Sequence, residues 1–165
     1  LNMAFMVNLS GFRGMYLTKC LENVKENAPT RFGLFVNLDW EQIDAPDFLE
    51  NNLTILRDAK LAGAIGLKVY KGLGLTDTDS SGKRIAVNDP RLDPIWAACG
   101  VLGFPVLIHS AEPASFWKPK DKFNERWLEL KQKPGRYRDP AKVPSFESII
   151  AEQHDIFRKK SLFTF

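Results

Sequence analysis

Histidine is scarce in this chain: only His109 and His154 occur among 165 residues. A catalytic zinc commonly takes three protein ligands, so one imidazole cannot hold it alone. Cysteine is as rare. Cys20 and Cys99 are far apart and fall in helix-like patterns, which supports neither a CxxC zinc site nor a disulfide framework. Both read as free, partly buried thiols. No apolar run approaches the ~20 residues of a membrane span, and MAFMV at 3–7 is too short for a signal-peptide core. The chain opens on Leu1, and the native N-terminus is expected upstream. HExxH, GxSxG and kinase signatures are absent. The glycines of KGLGLTDTDSSG match neither GxGxxG nor GxxxxGK(S/T) and read as loop flexibility.

What is present is globular. Apolar residues make up 44% of the chain, a length and content that suit one domain with a sizeable core. The 23 basic and 20 acidic side chains are interspersed, for a net charge of +3. Short basic clusters at Lys118–Lys122 and Arg158–Lys160 read as solvated faces rather than a nucleic-acid footprint.

Strand-like and helix-like patterns alternate. Strands are expected at 3–9, 31–37, 64–70 and 104–109, with SLFTF at 161–165 opening a fifth. Helices are expected at 13–28, 46–62, 90–102 and 145–160. Pro46 suits a first turn, Gly63 a C-terminal cap, and Ser145 an N-cap. Strands apolar on both faces, each followed by an amphipathic helix, point to an α/β fold with a parallel sheet. A doubly wound open sheet and a (β/α)₈ barrel both fit. A complete barrel takes roughly 250 residues, so this chain would be just over half of one. Helix-to-strand loops are tight. Strand-to-helix loops are long: 19 residues at Lys71–Asp89 and 35 at Ser110–Pro144. Sites in both architectures lie at the carboxyl ends of the strands, where the long loops leave.

His109 ends the strand FPVLIH. An imidazole there suits a metal ligand or general base, or else a backbone hydrogen bond. Lys68, in GLKVYK, is costly to bury without a partner. It reads either as a metal-site residue or substrate anchor, or as snorkelling to Asp39 or Glu112. Lys71 lies in the loop beyond, facing solvent or an anionic substrate. Asp39 suits a supporting or loop-capping role. His154 reads as a half-buried structural residue on the edge of a helix's apolar face.

GAIGLKVYKGLGL, LDPIWAACGVLGFPVLIHSAEP and FWKPKDKFNERWLEL together make the chain, from NLSGFRG onward, resemble the amidohydrolase-related proteins of the amidohydrolase superfamily. That resemblance implies a (β/α)₈ barrel with one or two divalent metals, of the zinc kind, at the mouth. The family's ligands are a His-x-His pair after the first strand, histidines ending the fifth and sixth, and an aspartate ending the eighth. A carboxylated lysine ending the fourth strand bridges the ions in two-metal members. His109 matches the fifth-strand histidine and Lys68 the fourth-strand lysine, so the strands here would be the second to the sixth. The chain departs from the pattern: it has no His-x-His, and it stops at Phe165 with no eighth-strand aspartate. It is therefore expected to be an internal stretch of one incomplete barrel domain, unable to hold metal tightly or turn over alone.

The implied activity is metal-dependent hydrolysis of an ester- or amide-like bond in a small-molecule substrate. Lys71, Glu112 and Trp117 would be substrate-binding. A metal-dependent decarboxylase of the same fold, or a non-catalytic open-sheet binding module, are the alternatives. Neither nucleic acid nor a membrane span is expected as a partner, and a homo-oligomer is left open.

Overall fold

The computed structural model describes residues 2–109 and 112–160. The expected strand at 161–165 lies outside the described residues. Two compact units form. The first comprises Leu1–Tyr70, Thr78–Lys83 and Asp89–His109, and the second Lys71–Asp77, Arg84–Asn88 and Ser110–Phe165.

The first unit holds four strands: β1 (Met6–Phe12), β2 (Phe32–Val36), β3 (Gly66–Val69) and β4 (Val106–Ile108). All pair in parallel, in the order β1-β2-β3-β4. Consecutive neighbours leave no reversal of strand order, and reversal is what creates the crevice of a doubly wound sheet. Helices α1 (Gly14–Asn27), α2 (Phe48–Ala62) and α3 (Asp93–Val101) connect them. Each helix packs on its sequence neighbour, and α1 packs on β2, so the three line one face of the sheet. Right-handed βαβ crossovers between adjacent strands require this one-sided layer.

Alternation along the strands makes the core. Leu34 and Val36 in β2, and Leu67 and Val69 in β3, point to one side and are fully buried. Leu17 and Leu21 of α1, Leu56 and Ala59 of α2, and Ile95, Trp96 and Cys99 of α3 supply the helical half. Each such aliphatic side chain contributes about 1.5–3 kcal/mol by leaving water. Gly66 is required by close approach. A Cβ there would lie 2.7 Å from the Pro105 carbonyl oxygen and 2.6 Å from the Phe35 ring. Gly63 closes α2 in the left-handed region, φ 105°, where a side chain is strained.

Several boundaries differ from expectation. β1 starts at Met6 instead of residue 3. Pro46 precedes α2 and its flanking Asp47 rather than sitting in the first turn. The stretch 104–108 was expected to be buried, yet only Phe104 is; Val106 and Leu107 are 36% and 40% exposed. The reason is position. Among the described residues β4 pairs only with β3, and no neighbour covers its other edge.

The second unit carries α4 (Trp127–Gln132) and α5 (Phe146–Lys160). The Oγ of Ser145 accepts the backbone N–H of Ser148 at 3.1 Å, the bond expected of an N-cap. Leu75 and Ile149 form a small buried cluster against which Trp117, Val143 and Phe146 pack. No helical periodicity in the sequence announces α4. Its six residues sit between Pro119 and Pro134 in a lysine-rich segment, and only Leu130 is fully buried. His154 on α5 is exposed, not half-buried. The buried face there is carried by Ile149, Gln153 and Ile156, and His154 stands one residue off it.

Candidate functional site

The first cluster lies at the carboxyl end of the sheet. In β3, Leu67 and Val69 turn to the helices, so Lys68 between them takes the opposite face. Lys68 pairs in register with Leu107. The ladder continues beyond β4, because the His109 N–H donates to the Val69 carbonyl at 2.9 Å. His109 is two residues past Leu107 and therefore shares Lys68's face, one step nearer the carboxyl edge. Its imidazole is exposed.

Lys68 is only 5% exposed. The expected partners are taken. The Asp39 carboxylate pairs with Arg13 at 3.1 Å, and Glu112 pairs with Lys71 at 2.6 Å. Among the described residues no carboxylate reaches Lys68. Its ammonium stands 5.4 Å from the centre of the Tyr70 ring. Burial pushes its pKa below the ordinary lysine value. Tyr70 is two residues past Lys68 on the same face, and its hydroxyl donates to the Leu9 carbonyl. That bond ties the ring beside Lys68 to β1. Tyr70 was missed in the sequence, though period-two alternation from Lys68 was a sufficient signal.

The Asp39 carboxylate pairs with Arg13, and the backbone of Asp39 is held by Asn52. Asn52 of α2, buried, accepts the Asp39 N–H with its Oδ1 at 3.3 Å. It donates from Nδ2 to the Asp39 carbonyl at 3.2 Å. Arg13, Asp39, Asp47 and Asn51 line an open cleft of about 440 Å³ beside α2.

The second cluster belongs to the other unit. Glu112 accepts from Lys71 at 2.6 Å and from Arg138 at 2.8 Å. Burial alone would raise its pKa, but the hydrogen bonds from Lys71 and Arg138 outweigh it. They hold the carboxyl below the usual range. Arg138 is 26 residues away in sequence, and no local pattern announces the pairing. The Trp117 N–H donates to the Pro144 carbonyl at 2.9 Å, and its ring meets Phe146 edge-on at 5.8 Å. Both contacts anchor the start of α5.

Among the described residues no three His, Cys, Asp or Glu side chains come together as metal donors. His109 and Lys68 fit two positions of a divalent site. An imidazole at a strand end is a suitable donor, and a lysine on the same face is the residue type that the resemblance carries as a carboxylated bridge. The remaining donors of a full set are not among these residues. No family model, no curated protein and no solved structure matches this chain.

Proposed function

We propose that this chain forms part of the wall and mouth of a (β/α)₈ barrel hydrolase of the amidohydrolase type. The observation that carries the reading is the shared face of Lys68 and His109 at the carboxyl ends of adjacent parallel strands. Unreversed strand order and a one-sided helical layer support a barrel wall over a doubly wound sheet. When bound, a divalent ion of the zinc kind supplies a hydroxide near neutral pH and polarises the scissile bond. His109 offers one ligand nitrogen. Lys68 stands beside it, steadied by the Tyr70 ring. Within the second unit, Glu112 occupies one N–H of Lys71 and leaves the other two for an anion. The remaining ligands come from residues other than those described.

Hydrolysis and decarboxylation share this residue set. A non-catalytic α/β module is the second reading, favoured by the use of Glu112 and Trp117 in local structure. The test is metal content and ester or amide turnover of the native gene product beside its His109→Ala variant. Loss of metal and turnover with an unchanged thermal melt is expected. Full retention of both sinks the hydrolase reading.

A further inference from the structure

The chain's positive charge is concentrated in one exposed stretch. Residues 117–138 carry eight lysines and arginines against three carboxylates, a surplus of five in a chain whose net charge is only +3. Lys118, Lys120, Lys122, Arg126, Lys131, Lys133 and Arg136 are all exposed. Lys118, Lys131 and Lys133 make no ion pair among the described residues. Two large apolar side chains stand in the same stretch, Phe123 at 86% exposed and Leu128 at 73%.

The loop that presents them is built rather than slack. Asn124, 6% exposed, donates to the carbonyls of Ser115 at 2.8 Å and Pro119 at 2.9 Å. It also accepts the Arg126 N–H at 2.8 Å. The neighbouring Phe123 is thereby held out at the surface, with the Lys122 ammonium 5.2 Å from its ring centre and no apolar cover. Leu128 and Lys131, three residues apart, share the face of α4 away from the buried Leu130.

We propose that the segment 117–138 docks this protein on an anionic phospholipid surface. Lysines would meet the headgroups while Phe123 and Leu128 enter the acyl boundary. Interfacial binding needs this combination of basic residues around exposed apolar ones, and the attraction grows with each lysine near the surface. The other occupants fit less well. A second copy would bring like charge against like charge in an isologous contact. A nucleic acid would use the lysines and stack on Phe123, but an exposed leucine offers it nothing.

The experiment is co-sedimentation of the full chain with phosphatidylcholine vesicles, with and without phosphatidylserine, at low and high salt. Binding only to the anionic vesicles, weakened by salt, is expected. Phe123→Ser and Lys118→Glu/Lys122→Glu should each lower the bound fraction severalfold. Because Phe123 is exposed, its variant should melt like the parent. No binding to phosphatidylserine vesicles, or binding that Phe123→Ser leaves unchanged, overturns the proposal. So does tighter binding to a single-stranded oligonucleotide than to vesicles, which assigns the patch to nucleic acid.

Discussion

Lys68 of β3 stands in register with Leu107 of β4, two residues before His109, so the amine and the imidazole project from one face of the sheet. The amine has no carboxylate partner among the described residues. A buried unpaired cation destabilises the fold. Lys68→Met keeps the stem's volume and removes the charge, and should raise stability by on the order of 1 kcal/mol at neutral pH. The folded pKa is depressed, so the penalty is complete below it and fades as pH rises to the ordinary value of 10.5. The variant's advantage should therefore shrink in alkaline solution. Urea unfolding across that range measures it, and a destabilised variant would mean that the amine has an anionic partner.

Glu112 has the opposite sign. Its folded pKa is held below the ordinary 4.5, so its contribution is present above that value and disappears as pH falls through the folded one. Glu112→Gln should cost about 2 kcal/mol at neutral pH, through lost charge-assisted bonds to Lys71 and Arg138. It should also flatten the acid limb of stability against pH. Thermal melts between neutrality and acid pH decide this.

Asn124→Ala removes the donor shared by the Ser115 and Pro119 carbonyls, and the acceptor for Arg126. The expected loss is about 2–3 kcal/mol. Cleavage by trypsin after Lys120, Lys122 and Arg126 should speed up before global unfolding does. Asn124→Asp keeps the acceptor but sets a carboxylate against carbonyl oxygens, so it should be no milder. An unchanged digestion pattern would show that other contacts hold the loop.

His154 is exposed, so His154→Ala should change stability by less than about 0.5 kcal/mol. Leu67→Ala, by contrast, empties a fully buried position between strand and helices. It should cost about 2–5 kcal/mol. Denaturant midpoints of the two variants, measured side by side, test how the core is divided.

The alternation of strand and helix was legible in the sequence because it rests on local rules. Runs such as GLFV and GLKV, apolar throughout, suit a parallel strand. Gly63 and Ser145 sit where caps demand them. His109 and Lys68 could be placed near strand ends for the same reason. Whether they shared a face was not legible, because that depends on the register of β3 against β4, which hydrogen bonds between distant segments set. Trp117 and Glu112 show the same limit. Both carry chemistry that suits a ligand, and both are occupied by groups 26 or 27 residues further along, Arg138 and the Pro144 carbonyl. The sequence determined the alternating strands and helices of the first unit and the charge of the 117–138 stretch. Only tertiary structure decided which polar groups met a partner, since pairing depends on through-space distance, and among the described residues it set Lys68 against the Tyr70 ring rather than a carboxylate.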